Sequence, residues 1–286
     1  MTGSAPSMGE ELARSIHPEK VFAFLPGMTP ANLAALYGLD EPAYAAVRDR
    51  FRAQTAAAAR DLLTEPGLAE AVDRLPFPAG QTVAVIGEST TDAADSWLEI
   101  LGHLITLRRP GDAITLVNAA ISGYPTTMLQ RVMSETLHRH RPGWVVLFAG
   151  GNDALRYGAG ATKPLVTSAE TARNLAEMRR QAAAAGARVT WMTPAACDTA
   201  RAAAYPPFQA QDVWLHPDDL RAVGDAIRAT AGADDVVVDL ADAFGSPPRE
   251  SLLSADGLHP TLAGHKAIAK RFAERLAGSS RAGRTY

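Results

Sequence analysis

The chain has 286 residues, a formal net charge of −3 and an apolar fraction of 47%. This length is enough for one large α/β domain, and the composition is that of an ordinary globular protein rather than a disordered or fibrous one. A charge so close to neutral excludes the strongly basic surface that nucleic acids require, so we expect no nucleic-acid partner.

Cysteine content and apolar runs predict the compartment. Cys197 is the single cysteine, which excludes an intramolecular disulfide and a thiolate zinc site. Residues 1–19 lack the apolar core of a signal peptide, and the longest apolar runs, 21–25 and 145–149, are far too short to cross a bilayer. We therefore expect a cytoplasmic protein with no membrane span.

Residues 29–74 have a helical pattern ahead of the main domain. Helix-start signals occur at Thr29-Pro30 and again at Asp40-Glu41-Pro42. The second helix has an apolar stripe at helical spacing that consists of Tyr44, Val47, Phe51, Ala58 and Leu62, with Thr55 as its one polar member. We interpret residues 1–78 as a helical extension laid against the main domain; a dimerising or substrate-capping element is the alternative.

Five short runs rich in β-branched residues follow, and helical patterns separate them. The runs are residues 82–86, 113–117, 144–149, 188–192 and 235–240, and the predicted helices are 92–108, 125–139, 168–185, 217–231 and 261–277. Strands that alternate with helices in this way predict a parallel sheet covered on both faces. The expected fold of residues 79–286 is a three-layer, doubly wound α/β domain with five strands.

Polar residues follow four of the five strands, where ligands of such sheets bind. These exits read Gly87-Glu88-Ser89, Asn118 to Gly123, Gly150-Gly151-Asn152-Asp153 and Asp256-Gly257-Leu258-His259-Pro260. Each alone is typical of a helix cap or a turn. Their joint occurrence at the strand exits is what indicates a catalytic site.

Ester hydrolysis by a serine needs a base, a group that orients the base, and donors for the oxyanion. We expect Ser89 to be the nucleophile, His259 its base and Asp256 the acid that orients the imidazole. The expected oxyanion donors are the backbone N–H groups of Ser89 and Gly123 and the side-chain amide of Asn152.

At these four blocks the sequence resembles the SGNH hydrolases, also called GDSL esterases and lipases, over residues 81–276. The resemblance implies a flavodoxin-like sheet of five parallel strands and the same five site residues, with no metal and no cofactor. Two positions depart from the family pattern: Glu88 replaces an aspartate and Ala120 replaces a glycine. We interpret Glu88 as altered turn packing, with its side chain directed away from Ser89, and expect Ala120 to be costly only if its φ is positive.

The exit of the fourth strand opens a long loop with exposed aromatics. We assign Tyr205, Phe208 and Trp214 to the acyl or alcohol pocket; the alternative is a surface loop with its own small apolar cluster. His138 and His140 lie at a helix end and His265 is expected on the surface, so a zinc site built from these histidines is not expected.

The function expected from these residues is hydrolysis of a small-molecule carboxylic ester, with a short acyl group such as acetyl, through an acyl-enzyme on Ser89. An acyltransferase that uses the same acyl-enzyme is one alternative. A non-catalytic binding protein that keeps the fold is another, although a binding module needs neither Ser89 nor His259. The residues predict no oligomeric state.

Overall fold

A computed structural model describes residues 7–282 of the chain. The outermost ends of the two predicted domains, 1–6 and 283–286, lie outside the described residues. The strands are β1 (Thr82–Gly87), β2 (Thr115–Asn118), β3 (Trp144–Phe148), β4 (Leu155–Tyr157), β5 (Arg188–Met192), β6 (Val213–Leu215) and β7 (Val236–Val238). Five of them form a parallel sheet in the order β2-β1-β3-β5-β7. The predicted five-stranded, doubly wound parallel sheet is confirmed.

The helices follow the predicted pattern and include several that the sequence patterns did not indicate. They are α1 (Met8–Ser15), α2 (Pro18–Val21), α3 (Pro30–Leu36), α4 (Glu41–Leu62), α5 (Leu68–Asp73), α6 (Ser89–Asp92), α7 (Trp97–Arg108), α8 (Thr126–His140), α9 (Ser168–Ala184), α10 (Thr199–Ala204), α11 (Pro206–Ala210), α12 (Pro217–Thr230) and α13 (Leu262–Ala282). None of the helices in the described part of the chain combines the length and apolar character that a membrane crossing needs.

Two apolar cores cover the two faces of the sheet, as expected for parallel strands that are apolar on both sides. Helices α8, α9 and α12 pack on one face through residues such as Leu129, Met178 and Ile227. Helices α7 and α13 cover the other face, together with α5 and the C-terminal part of α4. The helices before residue 78 therefore share the main core.

The N-terminal half of α4 packs in a smaller cluster with α1 and α3, centred on Tyr37, Tyr44 and Phe51. Thr55, the polar member of the α4 stripe, is buried and its hydroxyl donates to the carbonyl oxygen of Phe51 at 3.0 Å. This bond satisfies the hydroxyl inside the helix and explains how the stripe accommodates it.

One predicted helix is interrupted. Residues 92–108 were expected as a single helix, but α6 ends at Asp92 and α7 begins at Trp97. The break is where the N-terminal extension docks: the N–H of Ala94 donates to the carbonyl oxygen of Arg14, and Asp95 pairs with the Arg14 guanidinium at 2.9 Å. The carbonyl oxygen of Arg14, which is distant in the sequence, therefore takes the place of the intrahelical acceptor for the Ala94 N–H.

The order of the strands determines where the site lies. The chain leaves β1 toward β2 on one side and later adds β3 on the other side, so the direction of winding reverses between β1 and β3. In open parallel sheets, the crevice at such a switch point is where ligands bind. Ser89 follows β1 and Asn152 follows β3, so these two residues flank the crevice.

Candidate active site

Ser89 and His259 are within hydrogen-bonding distance although 170 residues separate them. The Ser89 Oγ lies 2.8 Å from His259 Nε2, and His259 Nδ1 lies 2.6 Å from Asp256 Oδ2. A carboxylate acceptor beside Nδ1 favours the tautomer with its proton on that nitrogen, and this leaves Nε2 free to accept the serine proton. The three side chains thus have the arrangement of a serine-hydrolase triad.

The loop before α13 holds Asp256 and His259 in a fixed relation. Asp256 Oδ1 accepts the backbone N–H groups of Leu258 and His259, both at 2.9 Å. The other carboxylate oxygen remains available for the imidazole. Burial opposes the charge on Asp256, but the hydrogen bond and charge of His259 together with the two backbone bonds outweigh it, so the pKa of Asp256 lies below its usual value.

Each of the expected oxyanion donors keeps at least one N–H hydrogen without an acceptor in the described part of the chain. The backbone N–H groups of Ser89 and Gly123 have no acceptor among residues 7–282, and Asn152 Nδ2 makes one bond, to the carbonyl oxygen of Tyr124 at 3.3 Å. That bond uses one of the two amide hydrogens of Asn152 and leaves the other free. Gly123 has φ +79°, a conformation that side-chain-bearing residues rarely adopt.

Glu88 links the turn that carries Ser89 to the turn that carries Asn152. Its buried carboxylate accepts the backbone N–H of Gly150 at 2.5 Å and that of Asn152 at 3.0 Å. Burial raises the pKa of Glu88 to about 8, although bonds from the backbone of residues 150–152 oppose the shift. Glu88 therefore does more than alter the packing of its own turn: it bridges the two sides of the crevice.

Asp153 anchors the turn after β3 to the neighbouring helices. Its buried carboxylate accepts the backbone N–H and the hydroxyl of Thr126, at 2.7 and 2.6 Å, and the hydroxyl of Thr171 at 2.6 Å. Burial raises the pKa of Asp153, and the three bonds partly offset this effect. Asp153 thereby joins the turn after β3 to the first turns of α8 and α9.

Ala120, the other departure from the family pattern, introduces no backbone strain. It is fully buried, and the non-glycine residues with positive φ in the described chain are Ala113, Arg141 and Asp212. The N–H of Ala120 donates to Asn118 Oδ1 at 3.2 Å. The condition under which Ala120 was expected to be costly is therefore not met.

A small cavity of about 60 Å³ adjoins Ser89 and His259. Its apolar wall comes from the ends of β3 and β5, from α12 and from the histidine loop, and consists of Phe148, Ala149, Pro194, Ala195, Leu220, Leu258 and Pro260. Glu88, Ser89 and Asn152 line it as well. A reacting ester placed on Ser89 would have this cavity beside its carbonyl carbon.

The aromatic residues of the loop after β5 lie elsewhere. The residues around the 60 Å³ cavity do not include Tyr205, Phe208 or Trp214. Tyr205 and Phe208 pack edge to face with ring centres 5.2 Å apart, and the Trp214 indole donates to Asp212 at 2.8 Å. Helices α10 and α11 and strand β6 occupy the loop, and the assignment of these aromatics to the acyl or alcohol pocket stays a prediction.

The same loop braces the histidine instead. The Arg201 guanidinium donates to the carbonyl oxygen of Ser254 at 2.7 Å. The N–H of Asp198 donates to the carbonyl oxygen of Gly257 at 2.8 Å. Gly257 has φ +67°, and a Cβ there would lie 2.5 Å from the Asp198 carbonyl oxygen. Glycine is thus required where the two loops meet, and the sequence offered no signal for this contact.

His265 was expected on the surface, and that expectation is wrong. Only 1% of the residue is exposed, and its Nδ1 accepts the backbone N–H of Trp97 at 3.3 Å. Burial lowers the pKa of His265 to about 4. Residues 265, 268, 272 and 276 of α13 share one buried face, so helical spacing was a signal that could have placed this histidine in the core.

Other reactive groups do not add to the site. Burial raises the pKa of the Cys197 thiol to about 11, which leaves little thiolate near neutral pH. Within residues 7–282, no set of three or more histidine, cysteine, aspartate or glutamate side chains is arranged to hold a metal ion.

The sequence matches a protein-family model described as the GDSL-like Lipase/Acylhydrolase family over residues 85–267. It is also 32% identical over 116 residues to esterase TesA of Pseudomonas aeruginosa. That match covers 39% of this chain and 53% of the relative, so it spans about half of the length of the curated protein.

Solved structures share the fold. The structure of LAE5, an α/β hydrolase enzyme from the metagenome of Lake Arreo, Spain, has a TM-score of 0.58 at 22% identity, with coverage of 72% of this chain and 98% of that one. A variant of Axe2, an acetyl xylan esterase from Geobacillus stearothermophilus, has a TM-score of 0.54 at 21% identity, with coverage of 70% and 96%. The family model covers more than half of the chain, from β1 to α13, and the chain belongs to the GDSL-like lipase/acylhydrolase family.

Proposed function

We propose that the protein hydrolyses carboxylic esters with a short acyl group through an acyl-enzyme on Ser89. The observation that carries the proposal is the pair of contacts on His259, 2.8 Å from the Ser89 oxygen and 2.6 Å from Asp256. A base in this position removes the hydroxyl proton as the oxygen attacks the ester carbonyl. The likeness to a curated esterase supports the same reaction.

The steps follow from the positions of the donors and the base. Attack of the Ser89 oxygen creates a tetrahedral oxyanion, which the backbone N–H groups of Ser89 and Gly123 and the Asn152 amide stabilise. The imidazolium of His259 then donates its proton to the departing alcohol, and the acyl group stays on Ser89. A water molecule, deprotonated by His259, attacks the acyl-enzyme. The bond between the acyl carbon and the Ser89 oxygen then breaks, His259 returns its proton to that oxygen, and the acid is released. Asp256 stabilises the imidazolium in both halves.

The size of the cavity supports a short acyl group. The cavity beside Ser89 is small, about 60 Å³. Acetyl, propionyl and butyryl groups suit a cavity of this size better than a long chain such as octanoyl does. The apolar wall matches the aliphatic part of such groups.

The experiment is a series of p-nitrophenyl esters of graded acyl length, assayed on the purified protein and on the Ser89→Ala variant. We expect kcat/KM to be highest for two to four carbons and to fall for longer chains. A fluorophosphonate probe should label the wild type and leave Ser89→Ala unlabelled. Hydrolysis of every ester at the rate of Ser89→Ala would contradict the proposal. Product analysis with an added alcohol separates hydrolysis from acyl transfer to that alcohol.

A further inference from the structure

Residues 14–20, which we call the N-terminal strap, comprise the end of α1, the start of α2 and the two residues between them. The strap lies against the catalytic domain next to the oxyanion loop, residues 118–123. The strap contacts the segment that follows Ser89 and the loop that carries Gly123. The role proposed for the active site does not use these contacts, and the helical extension lies outside the resemblance to the family.

Lys20 joins three parts of the site with one ammonium group. Its Nζ donates to Asp92 Oδ1 at 2.5 Å, to Asn118 Oδ1 at 3.2 Å and to the carbonyl oxygen of Ala120 at 3.1 Å. These acceptors belong to α6, to the end of β2 and to the oxyanion loop. An ammonium has three N–H donors, so these three acceptors use all the donors of Lys20.

Asp92 connects Lys20 and His17 to Ser122, the residue before Gly123. Only 1% of its side chain is exposed, and His17 Nδ1 lies 3.0 Å from its Oδ1. Its other oxygen accepts the backbone N–H of Ser122 at 2.9 Å. The Ser122 hydroxyl lies 2.7 Å both from this carboxylate oxygen and from the carbonyl oxygen of Ser15 in the strap.

His17 and Lys20 compensate for the burial of the Asp92 carboxylate. Burial would raise the pKa of Asp92, but the hydrogen bond of His17 and the charge of Lys20 hold it at about 2. A buried carboxylate without such partners is costly, so the strap supplies what Asp92 needs to stay ionised. The ionised carboxylate in turn accepts the backbone of the oxyanion loop.

We propose that the strap is a positioning element of the esterase reaction, in which Lys20, His17 and Asp92 hold Ser122 so that the N–H of Gly123 is directed at the oxyanion. The inference rests on the proposed function. Gly123 itself is exposed and has no acceptor for its N–H in the described chain, so its direction depends on its neighbours. Misplacement of a catalytic group by about 1 Å lowers a rate by roughly a hundredfold, which sets the scale of the effect.

The test is Lys20→Met, which keeps an unbranched side chain one atom shorter and removes the charge and the donors. Active sites are counted by fluorophosphonate labelling, and kcat is expressed per labelled site. We expect kcat per site to fall by about tenfold or more with KM changed less than about twofold, because the donor acts on the transition state. Lys20→Arg, which keeps the charge, should recover part of the loss.

Two further variants keep the proposal falsifiable. Arg50→Ala removes an ion pair to Glu10 within the extension and should leave kcat per site unchanged. Ser122→Ala deletes only the hydroxyl that bonds the strap and should lower kcat per site about threefold to tenfold; it decides the question if Lys20→Met does not fold.

Full kcat per site in both Lys20→Met and Ser122→Ala would overturn the proposal. A fall in the number of labelled sites at constant kcat per site would also overturn it, because the strap would then act on folding alone. An inactive wild-type protein contradicts the proposed function instead.

Discussion

The Glu88 carboxylate accepts the backbone N–H of Asn152 at 3.0 Å. The residue before the proposed nucleophile thereby fixes the residue whose amide is the proposed oxyanion donor. Because the Gly150 N–H donates to the other carboxylate oxygen, both oxygens are used and the turn after β3 is held from β1. An aspartate is one methylene shorter, so the glutamate reaches further across the crevice.

Replacement of Glu88 by glutamine should weaken both stability and catalysis. The Glu88 side chain has two oxygens that can accept even when it is protonated. The glutamine side chain has one acceptor oxygen, and its NH2 group would face a backbone N–H, so one buried donor loses its partner. We expect the free energy of unfolding to fall by about 1–3 kcal/mol. We also expect kcat to fall about tenfold, since the Asn152 donor moves. Urea titration and ester kinetics measure the two effects.

The control for this variant is Glu41→Gln, at an exposed position in the first turn of α4. It should change kcat little and stability by a few tenths of a kcal/mol. Equal losses of kcat and of stability in the two variants would show that the Glu88 hydrogen bonds do not cause the losses.

The raised pKa of Glu88 has a consequence for stability against pH. Its value of about 8 lies above the ordinary 4.5, so the folded protein keeps a proton that the unfolded chain releases as pH rises through that range. The contribution of Glu88 to stability is complete below about 4.5 and is lost as pH rises through about 8. The wild type should therefore lose stability relative to Glu88→Gln between these values.

Denaturant titrations of both proteins at several pH values test this, because groups common to both cancel in the difference. A difference that stays constant from pH 4.5 to 8 would mean that Glu88 is already ionised in the folded state at the lower pH.

The turn that holds His259 predicts the effect of Asp256→Asn. An asparagine amide can donate to Nδ1, which places the imidazole proton on Nε2 and prevents it from accepting the serine proton. We expect kcat to fall by roughly two to four orders of magnitude with little change in KM. Asp242→Asn, at an exposed position, serves as the control. A loss below about tenfold would show that Asp256 does not set the tautomer.

The fold was predictable because each central strand is an apolar run bounded by turn residues, and every predicted strand lies within two residues of the observed one. The candidate site was predictable because its groups sit in short motifs at strand exits. Contacts between distant residues were not predictable. Lys20 and Asp92 are 72 positions apart, and nothing in the local sequence of either residue indicates the other.

The aromatic loop shows a different limit of sequence reasoning. Exposed aromatics in a long loop suggested a pocket, but Trp214 pairs with Arg156 in the small antiparallel sheet of β4 and β6. Local hydrophobicity cannot tell a pocket wall from an element that packs on itself. The cavity wall instead uses small and aliphatic residues such as Ala195 and Leu220, which carry no distinctive signal.

His265 provides the last prediction, on acid stability. Burial lowers the pKa of this histidine to about 4, below its ordinary 6.5, so on acidification the unfolded chain binds a proton that the folded protein refuses. The free energy of unfolding should therefore fall as pH drops from 6.5 toward 4, by up to about 1.4 kcal/mol per pH unit from this group. A His265→Gln variant is less stable at pH 7, because the imidazole packs in the core and accepts the Trp97 N–H, but it should lose less stability on acidification. Denaturant titrations at pH 7, 6 and 5 measure the difference between the two slopes. His216→Gln, at an exposed position, is the matched control for the loss of one imidazole. Parallel slopes for the wild type and His265→Gln would show that the buried imidazole is not the group that sets acid sensitivity.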